Sequence, residues 1–229
     1  MYNTTLICTK DVEFGKCNSK ELLYLIKENR PDLIFEELSQ ASYKECYEQD
    51  RITLETTAIK VYLEDYCVKH IPVVGIELSD AVKEKDAINK QHRYYSTILS
   101  RLYFLTMKHG FNFLNSVYCD NIFDDVARIE QEITENSTND ILLHMYHKAK
   151  QSIDDYENSI IENIYNYSSI HPYESAVVLI GAWHRKSMMQ KIKEYNKNQK
   201  IKLNWTFYDG EANEQRNSNT GSAYTSQGT

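Results

Sequence analysis

The sequence predicts an α/β protein with a largely parallel central sheet, flanked by helices and interrupted by an inserted helical region. Two observations predict this class. Short apolar segments alternate with helical patterns at both ends of the 229-residue chain, and this alternation is typical of a parallel sheet with helices on both faces. Between about residues 79 and 168, only helical patterns occur.

Five segments have the length and apolar composition of strands. The fourth is the clearest, because four consecutive apolar residues (VVLI, 177–180) precede Gly181. An uninterrupted apolar run bounded by glycine is typical of a strand that is covered on both faces. The predicted strands comprise residues 5–9, 33–37, 72–78, 176–182 and 203–208.

Capping residues and periodic apolar positions predict helices between the strands. Asn18 precedes the first helix, Glu21 stands three residues later as in a capping box, and Pro31 ends the helix. Residues 54–67 carry apolar side chains at helical spacing, and residues 187–197 do the same after the fourth strand.

The middle of the chain contains three apolar helical stripes, separated at Gly110 and at the cluster Asn136-Ser137-Thr138. We therefore expect one α/β domain over residues 1–209, with a helical insertion at about 79–168. Residues 210–229 are rich in Gly, Ser, Thr, Asn and Gln. A segment of this composition buries too little apolar surface to fold, so we predict a disordered tail.

The bulk composition argues against several classes of function. A net charge of −7 gives no basic footprint for nucleic acid, and no segment has the long apolar run of a membrane span or the pattern of a signal peptide. The five cysteines form no Cys-x-x-Cys pair, which favours a reducing, cytoplasmic location. The chain also lacks a phosphate-binding loop, a dinucleotide-binding glycine motif and a serine-nucleophile elbow, so we expect neither a nucleotide cofactor nor serine hydrolase chemistry.

Acidic residues and one histidine follow four of the five predicted strands. The carboxyl ends of parallel strands meet at one edge of the sheet, which is where ligands bind in open α/β sheets. We therefore expect several of these side chains to converge. The candidates are Asp11 after the first strand, Glu36 and Glu37 on the second, Glu77 on the third and His184 after the fourth.

Such a cluster supports two kinds of chemistry. Carboxylate oxygens and an imidazole nitrogen can hold a divalent metal with water in its open positions. Without a metal, crowded carboxylates raise one another's pKa, so that one of them serves as a general acid or base beside the histidine. A third interpretation assigns no chemistry, because acidic residues at strand ends also cap helices or contact solvent.

Two further polar features have structural explanations that we prefer. Asp140, His144 and His147 share one helical face. This spacing offers three ligands to a transition metal, but no fourth ligand is evident, so we expect the face to contact solvent while Ile141 and Met145 point inward.

Next to His184, Arg185 and Lys186 begin a helix, where cations oppose the macrodipole. We expect both to extend into solvent, although a nearby carboxylate cluster or an anionic substrate would offset the cost. We expect Trp183 to pack the strand against a helix; the alternative is that it forms a wall of a substrate pocket.

Three segments together, "LICTKD", "RPDLIFEEL" and "AVVLIGAWHRKSMM", resemble the TraB/TIKI-type proteins of the clan that includes erythromycin esterases and ChaN-like proteins. The pattern of that clan is an early Gly-x-x-His, a strand with "PD…E-L", and a late Gly-x-x-His followed by a helix. The resemblance extends over roughly residues 4 to 208. It implies an α/β core with an inserted helical bundle and, in several members, a hydrolase site that is metal-dependent in some.

The resemblance carries over unevenly. Gly181 and His184 match the late motif, Glu37 matches the strand glutamate, and Glu77 matches an acidic residue that ends the third strand. The early motif is replaced by residues 8–11 (CTKD), which lack both the glycine and the histidine.

Asp11, the last residue of that replaced motif, can still bind a hard metal such as Mn²⁺ or Mg²⁺. The family also tends to carry an arginine before the last motif, where this chain has Asn158 and no basic residue nearby.

Two functional hypotheses follow. The first is a TraB/TIKI-like hydrolase of peptide or ester bonds that acts on a small-molecule or peptide substrate, with Glu37, His184, Glu36 and Glu77 as candidate catalytic residues. Its metal-dependent version uses Asp11, Glu37 and His184 as ligands of Mn²⁺, Co²⁺ or Zn²⁺. The second is a family member without catalysis that serves as a binding or regulatory module, with the helical region as a partner surface or an interface between identical subunits.

Overall fold

The structure, a computed structural model, describes residues 2–137 and 140–210 and confirms the α/β class. Within these residues five strands form one parallel sheet. The predicted tail, apart from Gly210, lies outside the described residues. The strands are β1 (Tyr2–Thr9), β2 (Leu33–Glu36), β3 (Lys69–Pro72), β4 (Ser175–Gly181) and β5 (Leu203–Phe207).

Eight α-helices lie within the described ranges, four of them between β3 and β4. None of the helices in this part of the chain is both long and apolar enough to cross a lipid bilayer. The helices are α1 (Ser19–Asn29), α2 (Gln40–Glu48), α3 (Leu54–Asp65), α4 (Asp80–Asn89), α5 (Arg93–Leu114), α6 (Val117–Glu135), α7 (Asp140–Ile170) and α8 (Arg185–Asn198).

The strand order β3-β2-β4-β1-β5 places β4 in the middle of the sheet. Strand β4 pairs with β2 on one side and with β1 on the other. Its five central residues, 176–180, are almost fully buried, which confirms the prediction of a strand covered on both faces. The register sets Gly181 beside Thr9 of β1. The ends of β1, β2 and β4 therefore meet at one edge of the sheet.

The predicted third strand, residues 72–78, is wrong in position. Strand β3 covers Lys69–Pro72 and pairs only with β2. As an edge strand it needs few apolar residues, and proline is tolerated at an edge because it has no N–H to donate. The apolar residues that suggested the strand continue instead as a loop, in which Val73 is buried and Ile76 is half exposed.

The first helix confirms its predicted N-terminal cap and its end. Asn18 Oδ1 accepts a hydrogen bond of 3.0 Å from the Glu21 backbone N–H. The Glu21 side chain does not complete a capping box; instead, Glu13 Oε1 accepts from the Ser19 backbone N–H at 2.9 Å. Arg30 ends the helix with a left-handed φ of 44°, directly before Pro31.

The helical insertion extends from Asp80 to Ile170, close to its predicted bounds. Its predicted break is confirmed at Asn136 and Ser137, which follow the end of α6; Thr138, the third residue of the predicted cluster, lies outside the described residues. Its break at Gly110 takes the form of a kink within α5, where φ is 59°. On α7, His144 and His147 are exposed as expected. The prediction that Ile141 points inward is wrong, because Ile141 is 69% exposed and the buried position is Leu142.

A buried asparagine joins the insertion to the sheet. Asn115, at the end of α5, is fully buried. Its Oδ1 accepts from the Cys8 backbone N–H at 2.7 Å, and its Nδ2 donates to the Cys8 carbonyl at 2.9 Å. Because both backbone groups of Cys8 are satisfied by one side chain, the end of β1 is fixed to α5.

Replacing Gly110 by alanine should destabilise the protein strongly. The positive φ is costly for any residue with a side chain, and an added Cβ would lie 2.6 Å from the Lys16 carbonyl oxygen. We expect a loss of about 2–4 kcal/mol in the free energy of unfolding, measured by urea denaturation. Gly75→Ala is the matched control, since its added Cβ meets only side-chain atoms. Equal stability of the two variants would contradict the argument.

Candidate functional site

The site is centred on His184, at the turn between the middle strand and the last helix. After β4 ends at Gly181, a short 3₁₀ turn (Ala182–His184) brings the imidazole beneath α8. His184 is fully buried. The indole of Trp183 lies against the imidazole, with ring centroids 3.8 Å apart, and Tyr156 of α7 is stacked on the imidazole at 5.2 Å.

Two carboxylates flank the imidazole. His184 Nδ1 lies 2.7 Å from Glu157 Oε1 of α7, in hydrogen-bonding geometry. His184 Nε2 lies 3.3 Å from Glu37 Oε1, yet within the described residues it forms no hydrogen bond. The Glu37 carboxylate therefore makes the looser of the two contacts with the imidazole.

Glu37, directly after β2, connects the imidazole to the surface of a cavity. Its Oε1 accepts from the Tyr156 hydroxyl at 2.7 Å, and its Oε2 accepts from the backbone N–H of Gly181. The side chain retains 16% exposure and lines the cavity described below. We call these three side chains the Glu37–His184–Glu157 array. Glu37 is the more exposed of its two carboxylates.

Glu157 anchors the array from behind. Its side chain is only 3% exposed, and besides His184 it accepts from the Ser187 hydroxyl at 2.6 Å and lies 3.0 Å from Lys191 Nζ. Lys191 of α8 thereby brings a cation to this region, whereas Asn158, at the position where the resemblance implies an arginine, bonds to Asp154 instead.

The two carboxylates keep the imidazole protonated. Burial by itself lowers the pKa of an imidazole, but the hydrogen bond to Glu157 and the charge of Glu37 outweigh burial and raise the pKa of His184 to about 9. Burial acts to raise the pKa of Glu157, and the hydrogen bonds from His184 and Ser187 overcome it, so the net pKa is lowered. At neutral pH the centre of the array is therefore an imidazolium.

A third carboxylate, Glu55, belongs to the first turn of α3 and lines the same cavity as Glu37. The Thr9 hydroxyl at the end of β1 donates a hydrogen bond to Glu55 Oε1. Burial raises the pKa of Glu55 to about 7; the Thr9 hydrogen bond opposes the rise, and the charges of Glu37 and Asp11 add to it. Glu55 therefore changes its protonation state near neutral pH.

A large cavity lies between the edge of the sheet and the helical insertion. Its volume is about 1550 Å³, larger than the roughly 300–1,000 Å³ of most small-ligand pockets. Glu37, Glu55 and Trp183 line it at the edge of the sheet, and Lys85 and Glu130 line it within the insertion. Substrate in this cavity would contact both parts of the fold.

The other predicted site residues after β1 and β3 do not contact the imidazole. Asp11 is exposed and lines the cavity; its carbonyl accepts from the Leu54 backbone N–H at 2.9 Å. Among the described contacts, none joins its carboxylate to His184 or to Glu37. Glu77 is exposed in the loop after β3. Burial is the main cause of the raised pKa of Tyr156, and the charge of Glu77 adds to it.

Glu36 lies in a separate buried cluster, since consecutive side chains of a strand point to opposite faces. Its Oε1 lies 2.7 Å from His70 Nδ1, and its Oε2 accepts from the Tyr47 hydroxyl at 2.7 Å. These contacts fix α2 to β2 and β3. The structure therefore brings together Glu37 and His184 from the predicted set, with Asp11 on the same cavity, and leaves Glu36 and Glu77 apart from the imidazole.

The residues present fit a divalent metal poorly. Among the described residues, no group of three or more His, Cys, Asp or Glu side chains has the arrangement of a metal site. His184 Nε2 and Glu37 could share an ion, but the ion would have to displace the proton that the two carboxylates hold on the imidazole. No step proposed below therefore passes through a metal.

The expectation that Arg185 extends into solvent is wrong. Arg185 is buried and forms an ion pair with Asp120 of α6, so a carboxylate offsets the cost of a cation at a helix N-terminus. Lys186 is exposed as expected and pairs with Asp124 at 2.6 Å. Trp183 does more than pack the strand, since it is 41% exposed and lines the cavity.

Sequence reasoning missed Glu157, Glu55 and Lys191. A signal for Glu157 existed, because it occupies a buried helical stripe with Ile161 and Ser168 on α7, and a carboxylate in such a stripe must have buried partners. Glu55 had no comparable signal, since an acidic residue in the first turn of a helix ordinarily complements the macrodipole. Lys191 reaches Glu157 from another helix, which no local pattern shows.

No family model, no curated protein and no solved structure matches this chain. The resemblance to the TraB/TIKI-type proteins therefore stays a prediction, and the function has to be argued from the geometry of the site.

Replacing Glu157 by glutamine should lower the pKa of His184 from about 9 towards or below the ordinary imidazole value of about 6.5, because burial remains while one of the two stabilising charges is removed. The titration of the imidazole ¹⁵N resonances by NMR measures this change. Glu162→Gln, an exposed position on the same helix, is the control. A pKa that stays near 9 in Glu157→Gln would contradict the assigned role.

The same array determines how stability depends on pH. Because the pKa of His184 is raised in the folded state, its contribution to stability is fully present below about pH 6.5 and is lost as the pH rises through about 9. Glu157→Gln should therefore flatten the alkaline decline in the free energy of unfolding.

Proposed function

We propose that the protein is a hydrolase whose reacting groups lie at the carboxyl edge of the sheet. The observation that supports this most is the array Glu37–His184–Glu157, in which a buried imidazolium connects an inner carboxylate to one that lines a large cavity. Buried titratable groups arranged in this way beside a cavity are typical of acid–base sites.

Glu37 is the general base of the proposed reaction. Water in the cavity gives a proton to Glu37 and attacks a carbonyl carbon of the substrate. The Tyr156 hydroxyl and the Gly181 backbone N–H hold the carboxylate in one orientation, and the imidazolium behind it compensates its charge. Trp183 forms a wall beside Glu37 and limits how substrate approaches.

The class of bond comes from the resemblance to the TraB/TIKI-type proteins, which suggests a peptide or an ester. A site of this kind needs no nucleotide cofactor. The cavity accommodates either a small molecule or a peptide, because its volume exceeds that of most small-ligand pockets.

Glu37→Gln should lower kcat/KM for hydrolysis by about 100- to 10,000-fold, the range for loss of a general base. Hydrolysis of p-nitrophenyl acetate and of short peptide anilides, followed by absorbance, measures this effect. Glu64→Gln, at an exposed position of α3, should retain wild-type activity. Wild-type protein without hydrolysis, or a Glu37→Gln variant with full activity, would contradict the proposal.

One observation favours the alternative, a binding or regulatory module. Both oxygens of Glu37 already accept hydrogen bonds, as they would in a network that only supports the fold. In that case Glu37→Gln would change the free energy of unfolding, and neither it nor the wild type would hydrolyse the probes.

The metal-dependent version, with Asp11, Glu37 and His184 as ligands, has its own test. Elemental mass spectrometry of protein incubated with Mn²⁺, Co²⁺ or Zn²⁺ and then desalted gives the metal content. From the poor fit of the donors we expect well under one ion per chain, unchanged in His184→Ala and Glu37→Gln. Near-stoichiometric metal that both substitutions abolish would establish the metal-dependent version instead.

A further inference from the structure

Glu55 and Glu37 line the same cavity from different elements of the fold. Glu37 follows β2, whereas Glu55 belongs to the first turn of α3. The Thr9 hydroxyl both donates to Glu55 and lies 3.3 Å from the Ile180 carbonyl. Thr9 therefore fixes Glu55 to the ends of β1 and β4. Strand β4 ends at Gly181, three residues before His184.

The two carboxylates are in contrasting environments. Glu37 accepts hydrogen bonds on both oxygens and has the His184 imidazolium beside it. Within the part of the chain that the structure describes, Glu55 accepts from one neutral donor, Thr9, and bonds to no cation. The charges of the neighbouring carboxylates help to raise its pKa. Two carboxylates in contrasting environments can take the separate roles of acid and base.

Two other acidic groups that line the cavity near the edge of the sheet, Glu157 and Asp11, fit the role of an acid less well. Glu157 contacts His184, Ser187 and Lys191, and these partners lower its pKa. Asp11 is exposed, and among the described contacts none joins its carboxylate to Glu37 or His184.

We propose that Glu55 is the second catalytic carboxylate of the hydrolase and donates the proton to the leaving group. This inference rests on the proposed function. It also narrows the substrate class to bonds whose leaving group is strongly basic, such as alkyl esters and amides, because only these need a proton in order to depart.

The protons of the proposed reaction balance. Glu37 takes one proton from water while the water oxygen bonds to the carbonyl carbon and the carbonyl π electrons move to oxygen. When the tetrahedral intermediate collapses, the bond from carbon to the leaving group breaks, and the leaving atom receives the proton of Glu55. Glu37 then releases its proton to solvent, Glu55 takes one up, and the net change is the addition of one water molecule.

The raised pKa of Glu55, about 7, supports this assignment, because near neutral pH a large share of the molecules have a protonated Glu55. Burial is the main cause, and repulsion by Glu37 and Asp11 adds to it. Proton donors work best when their pKa lies close to the pH of the reaction.

The experiment compares two acetate esters that differ only in the leaving group. Ethyl acetate releases a strongly basic alkoxide, whereas p-nitrophenyl acetate releases a weakly basic phenolate. Glu55→Gln should lower kcat/KM for ethyl acetate by about 100-fold or more and change that for p-nitrophenyl acetate less than about fivefold. Glu64→Gln, on the same helix and exposed, should change neither rate.

A purely structural role of Glu55 gives a different result, because misfolding or misplacement reduces both rates equally. Equal losses, or no loss with ethyl acetate, would overturn the role of Glu55 while the proposed hydrolase stands, provided that Glu37→Gln still abolishes activity. A ¹³C NMR titration in which the Glu55 carboxyl changes state near its ordinary pKa would overturn it as well. Wild-type protein that hydrolyses neither ester would overturn the proposed function, and this role with it.

Discussion

The imidazolium of His184 between Glu37 and Glu157 is the interaction on which the site depends. It joins the end of β2, the turn after β4 and helix α7 through charged groups, of which His184 and Glu157 are almost completely buried and Glu37 is partly exposed. An isolated buried charge costs several kcal/mol, so each group is tolerable only while the others are in place. Loss of one carboxylate would therefore leave the imidazolium with one buried counter-charge and destabilise the fold.

The fold could be predicted in large part from the sequence, because burial leaves a periodic pattern. The central strand β4 needs apolar residues on both faces, and the run before Gly181 shows this directly. The edge strand β3 could not be predicted this way. It pairs with one neighbour and is half exposed, so polar residues such as Lys69 and His70 are tolerated in it. The loop after it is more apolar and therefore resembles a strand more closely than β3 itself does.

The site could be predicted only in part, because its contacts join residues far apart in the chain. The sequence predicted that Glu37 and His184 would converge, because each follows a strand and the carboxyl ends of parallel strands lie at one edge of the sheet. The partner of His184 on its other side, Glu157, comes from the insertion, and the proton state of Glu55 depends on burial beside Thr9 and Glu37. Such contacts follow from tertiary packing, which neither spacing nor composition specifies.

Helix α7 has a mechanical consequence for the cavity. Tyr146 and Lys150 face the cavity inside the insertion, and Tyr156 and Glu157, which bond to Glu37 and His184, lie further along the same helix. The segment between Tyr146 and Glu157 contains neither glycine nor proline and spans about 16 Å at 1.5 Å per residue. A molecule bound at the far end of the cavity would therefore contact the same helix that holds Glu37 and His184 in place.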